Sequence, residues 1–367
     1  MLNIGRMAPG RADYYLTAVA RGDDDGVEGY YLAPGEEPGR WLGAGAHTLA
    51  LTGEVTADDL HAVLDGRDPT TGDQLAAHPA RKVPGFDHTF RAPKSVSLLW
   101  GLGDRDTAAE VVAAHDAAVD AALGYLERAA GFTRRGAGGA ETVRADGFVA
   151  AAFRHRSSRA DDPLLHTHVL VANLARTSDD GIWRTLDSRK LFAHAKTAGV
   201  LYQAQLRCEL TRRLGVAWGP VVNGHADIEG VDRELIEAFS RRRTAIVEHM
   251  AARGESSAAA AQAATLATRT AKTGHPSEAQ LRAAWQARAA AVGLDARWVG
   301  RLVERAAWER PNLGSLYRTL VVEEGLTEQT STFTRRDVLQ QLAGRLPAGA
   351  RRPRSPPARR PRCRHAR

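Results

Sequence analysis

The chain reads as an α+β protein, with its strands gathered in the first half and its helices in the second. Three observations carry that reading. GFDHTFR (85–91), GFVAAAF (147–153) and HVLVANL (168–174) are short apolar or alternating runs bounded by Gly, Pro or Asn. Val112, His115, Val119, Leu123 and Leu126 recur at helical spacing within 107–129. Alanine-rich helical sequence then fills roughly 256–310, with no regular alternation of strand and helix.

Taken in order, the first 30 residues predict a short strand and a helix around Arg11–Arg21 that carries Tyr14 and Tyr15. A loop rich in Gly and Asp leads to Tyr30 and Tyr31. Residues 85–102 read as strand, proline turn, then a strand or the start of a buried helix. His115 sits on the apolar stripe of the 107–129 helix and is read as a core or boundary histidine. The glycine-rich RRGAGGAET (134–142) matches no phosphate-binding pattern and reads as a hairpin connection. Helices follow near 192–214 and 231–253, with Arg241–Arg243 as a solvated face.

The chain has 367 residues, 43% hydrophobic and 25% charged, as expected of a globular protein. Two cysteines, Cys208 and Cys363, cannot build a disulfide framework. The N-terminus lacks an apolar signal core and no apolar run is long enough to cross a bilayer. These features predict a cytoplasmic protein with no membrane partner. The net charge is +7, but 351–367 alone contains eight arginines, so the remainder is close to −1. Nucleic-acid affinity in the body must therefore come from a local patch. The Arg/Pro-rich 351–367 cannot form a core and is expected to be disordered. No Walker-type or dinucleotide-binding glycine motif is present, so a nucleotide is not expected.

The chemistry concentrates in FRHRSSRADDPLLHTHVLVANL (153–174). His166 and His168 are two apart on a predicted strand and so share a face. SSRADDP reads as a hairpin loop. If that hairpin pairs 155 with 166, it pairs 153 with 168, and His155, His166 and His168 meet on one face. Three imidazoles with open positions form a candidate catalytic site for one divalent cation. Intrinsic affinity favours Zn²⁺, Ni²⁺ or Cu²⁺, whereas phosphate ligands and abundance favour Mg²⁺ or Mn²⁺.

The candidate nucleophiles are Tyr14 and Tyr15. Tyrosine suits reversible cleavage of a phosphodiester, because the aryl ester retains the energy of the broken bond. Asp87 alternates with Phe86, His88 and Phe90, so it could orient a ligating imidazole or accept the tyrosine proton. Lys94 and Ser95, after Pro93, suit phosphate contacts. Arg156 and Arg159, at the hairpin loop, are better DNA candidates than Arg154, which points to the opposite sheet face. Trp41 and Trp183 could stack bases, though core packing is their simpler role.

These segments together resemble the relaxase domain of the MobF class of conjugative relaxases, the TrwC/TraI type. The resemblance runs from residue 1 to roughly 300. It rests on ordered motifs: two YY pairs, W-x-G-x-G-A, F-D-x-T-F-x-A-P-K-S-V-S, and F-R-H followed by D-P-x-L-H-T-H. It implies a palm-like antiparallel sheet of about five strands, helices packed on one face, and a mainly helical C-terminal part. It implies a metal-assisted nicking and strand-transfer enzyme acting through a 5′-phosphotyrosyl intermediate. The substrate would be hairpin and single-stranded DNA at an origin of transfer. By position, Tyr14 and Tyr15 match the first nucleophile pair, Tyr30 and Tyr31 the second, Asp87 the aspartate near the nucleophile, and His155, His166 and His168 the ligands. Accessory proteins of the relaxosome and a coupling protein are the further partners implied. On this reading 1–255 is the catalytic core, 256–330 a helical extension, 331–350 a linker remnant toward a missing helicase, and 351–367 the tail. A non-catalytic origin-binding regulator and a rolling-circle replication initiator remain alternatives.

Overall fold

The computed structural model describes residues 1–7, 38–75, 82–268, 277–295, 297–318 and 332–349, with 320, 322 and 326. The sheet strands are β1 (Leu2–Arg6), β2 (Arg40–Leu42), β3 (Gly85–Arg91), β6 (Ala150–Ser157) and β7 (Pro163–Ala172). They form one antiparallel sheet in the order β1-β3-β7-β6-β2. Two small hairpins stand apart: β4 (Phe132–Arg135) with β5 (Glu141–Arg144), and β8 (Ala175–Arg176) with β9 (Trp183–Arg184). The glycine-rich 134–142 segment is thus a hairpin connection, as its composition predicts.

The described helices are α1 (Ala44–Thr48), α2 (Ala57–Asp65), α3 (Lys94–Leu102), α4 (Arg105–Ala130), α5 (Ser188–Leu214), α6 (Arg233–Ala238), α7 (Arg241–Ala251), α8 (Ala258–Ala267), α9 (Glu278–Ala291), α10 (Leu313–Arg318) and α11 (Arg335–Gly344). The either-or reading after Pro93 resolves as a helix. In α3, Val96, Leu98 and Leu99 are completely buried. The helix expected over 231–253 is instead two helices, because the backbone leaves helical geometry at Phe239 (φ −102°, ψ 19°) and Ser240 (φ −120°, ψ 36°).

Residues on β3, β6 and β7 alternate between two cores. Phe86, Phe90, Ala150, Ala152, Leu165, Val169 and Val171 face a layer of α3, α4 and α5. Val149, Ala151, Phe153, Leu170 and Ala172 face the other way, into a smaller core with Trp41, Leu60, Val63 and Leu64. The long helices thus occupy one face, as expected, while the short α1 and α2 cover part of the other. Trp41 is a core residue and Trp183 packs at the edge of the same cluster. Within 331–350, α11 lies against α5, held by Gln340 donating to Thr197 and by the buried Arg207 guanidinium donating to the Ala343 carbonyl. Among the described residues no helix is long and apolar enough to cross a membrane.

Candidate metal centre

The hairpin register comes first, since everything else depends on it. His155 pairs with His166 and Phe153 with His168, the register under which the three histidines share a face. A bulge then intervenes between His155 and Ser157. Directly paired residues share a sheet face, as do i and i+2 neighbours on one strand. The three imidazoles therefore meet beyond the end of the smaller core. Their ring centroids are 5.2 Å (His155–His166), 5.0 Å (His155–His168) and 5.2 Å (His166–His168) apart.

One nitrogen from each ring lies within 4.8 Å of the others. A cation with bonds of about 2.1 Å to nitrogen would set tetrahedral ligands roughly 3.4 Å apart, so the cluster has the scale of one ion. The protonation states also fit. His166 Nδ1 lies 2.8 Å from the Leu164 carbonyl, which can only accept, so Nδ1 carries the hydrogen and Nε2 keeps its lone pair. His168 Nδ1 lies 2.9 Å from both oxygens of Asp87, which fixes the same tautomer. Burial, reinforced by the neighbouring His168, holds the His166 pKa well below the ordinary imidazole value. A neutral ring is the form that ligates.

Asp87 reaches His168 because β3 pairs with β7 across Thr89↔His168 and Asp87↔Leu170, which places both Asp87 and Thr89 on the histidine face. The Thr89 hydroxyl lies 3.3 Å from Asp87 Oδ1 and from His168 Nδ1. These contacts are the ones expected of a carboxylate that orients the imidazole. His88 points the other way, and burial pulls its pKa to about 4.

Thr167, between the two ligating positions on β7, also faces the helices. Its hydroxyl lies 2.7 Å from His115 Nε2, and His115 Nδ1 lies 2.8 Å from the Tyr202 hydroxyl. The stripe histidine on α4 is thus a buried bridge from α4 to β7 and α5. Burial pulls its pKa to about 3. Nothing local in the sequence marks this triad, because its members lie 52 and 87 positions from His115.

The other candidate residues are spread out. Lys94 turns inward and donates to the Pro163 carbonyl at 2.7 Å. Burial lowers its pKa to about 8. Ser95 is fully buried, donates to Asp227 Oδ1 at 2.6 Å and accepts from Ile228 N at 3.0 Å. Neither is placed as an open phosphate contact. Arg156 is 8% exposed and lies 3.5 Å from Glu278, while Arg159 is half-buried in the loop. Arg154, on the helix side, pairs with Asp116 at 2.7 Å. Tyr14, Tyr15, Tyr30 and Tyr31 lie outside the described residues. In the arginine triplet Arg241 and Arg243 are exposed, as a solvated face requires, but Arg241 also donates to Asp162, and Arg242, half-buried, to Thr265 and Thr268.

The TrwC relaxase family model matches residues 8–292. The multifunctional conjugation protein TraI of Escherichia coli is 33% identical over 345 residues, 87% of this chain and 19% of that protein. The chain therefore spans about a fifth of the length of that relative. A copper-bound structure of conjugative relaxase TrwC in complex with oriT DNA superposes with a TM-score of 0.69 at 34% identity, covering 81% of this chain and all of that one. TrwC bound to a 27-mer DNA comprising the recognition hairpin and the cleavage site gives 0.68 at 33% identity, with the same coverage.

Proposed function

The chain belongs to the TrwC relaxase family, and from that footing we propose that it nicks and transfers one DNA strand at an origin of transfer. The observation that carries the proposal is the convergence of His155, His166 and His168 on one sheet face, with the His168 ring oriented by Asp87. Conjugative relaxase TrwC has been seen in a metal-bound complex with oriT DNA and bound to a 27-mer comprising the recognition hairpin and the cleavage site. The substrate carried over is hairpin and single-stranded origin DNA. Relaxosome accessory proteins and a coupling protein would be the protein partners, and the cytoplasm the compartment.

The three imidazoles would hold one divalent cation. When bound, it supplies positive charge to the non-bridging oxygens of the scissile phosphate. Mg²⁺ or Mn²⁺ is the functional choice, because phosphate oxygens complete the site. Zn²⁺, Ni²⁺ or Cu²⁺ would bind three neutral imidazoles more tightly. Asp87 holds the His168 tautomer. Tyr14 is proposed as the first nucleophile with Tyr15 its neighbour, and Tyr30 and Tyr31 as the pair for a later strand transfer. The tyrosyl oxygen forms its bond to phosphorus as the bond from phosphorus to O3′ breaks. The phenolic proton leaves to a base, and the departing 3′ oxygen takes one up. The product is a 5′-phosphotyrosyl strand and a free 3′-OH. Positioning and charge neutralisation supply most of the rate. Residues 1–255 would form the catalytic core and 256–330 its helical extension.

The test is a denaturing gel of labelled single-stranded origin DNA with Mg²⁺ or Mn²⁺. Wild type should give the cleaved product and a covalent protein–DNA band, and Tyr14→Phe should lose the covalent band by at least about a thousandfold. An equal yield from Tyr14→Phe overturns the assignment. Tight, salt-dependent binding with no adduct from wild type would favour a non-catalytic origin-binding role instead.

A further inference from the structure

The aspartate of D-P-x-L-H-T-H is not used by the chemistry above. Asp162 closes the loop between the ligand-bearing strands β6 and β7, and its side chain is 1% exposed. A buried carboxylate is costly unless it is paired. Asp162 Oδ1 accepts from Arg241 of α7 at 3.0 Å and from Arg288 of α9 at 2.9 Å. Lys94, at the start of α3, lies close enough that the Asp162 charge favours its protonated form.

The same short loop makes further bonds to the helical part. Trp285 Nε1 donates to the Asp161 carbonyl at 2.7 Å, and Arg241 also donates to the Ala160 carbonyl. Arg156, in the bulge between His155 and Ser157, faces Glu278 at the start of α9. Arg282 of α9 donates to the carbonyls of Trp100, Gly101 and Gly103 at the end of α3. Within the loop, Ser158 Oγ accepts from the Ala160 and Asp162 amides, so the turn is closed on itself. Two helices 79 and 126 positions along the chain thus converge on a turn that joins two metal-ligand strands.

We propose that Asp162 is a positioning residue that locks α7 and α9 onto the β6–β7 turn, so that the His155–His166 register and the helical part hold one geometry. The proposal rests on the nicking reading for its catalytic arm only. It gives Arg241 and Arg288 a structural partner and makes the helical part a support for the metal hairpin, not a separate appendage.

The test uses the full chain and three variants: Asp162→Asn, Arg288→Met and Arg241→Met. Amide hydrogen exchange is read in 158–162, in α9 and in β3. In Asp162→Asn, exchange in the loop and in α9 should rise together by about tenfold or more while β3 stays protected. The single-turnover rate of adduct formation should fall by about tenfold, with hairpin-DNA affinity within about threefold of wild type. Combining Asp162→Asn with Arg288→Met should add little beyond Asp162→Asn alone, because the first change already breaks the contact that the second removes. If Asp162→Asn does not fold, Arg241→Met, whose side chain is 55% exposed, carries the same exchange test. Unchanged exchange in α9, or additive losses in the double variant, overturns the lock. Loosened exchange with an unchanged adduct rate overturns its positioning role. If wild type forms no adduct, the nicking reading fails while the exchange arm still decides the lock.

Discussion

Two groups of buried histidine lie back to back on the same strand pairing, and they are built differently. On the helix-covered face, His115 has both ring nitrogens engaged, one by Thr167 and one by Tyr202. On the other face, His166 and His168 each have Nδ1 fixed, by a carbonyl and a carboxylate, which leaves Nε2 as the nitrogen with a lone pair. The difference separates structure from function. A ring with both nitrogens satisfied by hydroxyls has nothing left to ligate. A ring with one nitrogen fixed is oriented and keeps a lone pair. Alternation along β7 puts the two kinds at adjacent residues, Thr167 on one face and His166 and His168 on the other.

His115→Leu gives the sharpest separation. It strands the Thr167 and Tyr202 hydroxyls in a dry core, at about 1–3 kcal/mol each. The expected loss of unfolding stability is about 3 kcal/mol by denaturant titration, with metal affinity within about threefold of wild type. A metal affinity that falls in step with stability would dissolve the distinction between the two groups. On the other face, Asp87→Asn removes the charge that orients His168, and metal affinity should fall about 10- to 100-fold with little change in stability. That pattern is the reverse of His115→Leu.

The smallest effect concerns Lys94, near the hairpin loop but outside the cluster. Its folded pKa of about 8 is below the usual lysine value because burial disfavours the ammonium. Between about pH 8 and 10.5 the unfolded chain holds this proton more tightly than the folded one, so stability from this group rises with pH across that window and is at its lowest below about pH 8. Relative to Lys94→Met, wild type should gain about 1 kcal/mol between pH 7.5 and 9. A flat difference would show that the ammonium is solvated.

Much of the site was legible because its determinants are local. His155, the loop and His166 lie within one hairpin, and a period of two with turn residues between sets which side chains share a face. Asp87 was placed on the right face by the same alternation. The Asp162 lock and the His115 bridge were not legible, since their partners lie on other elements 52 to 126 positions away and no local pattern announces them. The arginine triplet shows the limit well. Its spacing suits a solvated face, yet two of its members are ion-pair or carbonyl donors across the fold. Lys94 and Ser95 were read as phosphate contacts from residue type, and burial redirected both.

The central claim is that His155, His166 and His168 together hold one divalent cation. Calorimetric titration of Zn²⁺ into the metal-free chain, compared with His155→Ala/His166→Ala, tests it directly. One ion per chain for wild type and none for the variant, with denaturant midpoints of the metal-free proteins alike, is the predicted result. A variant that still takes up one ion with wild-type affinity would contradict it.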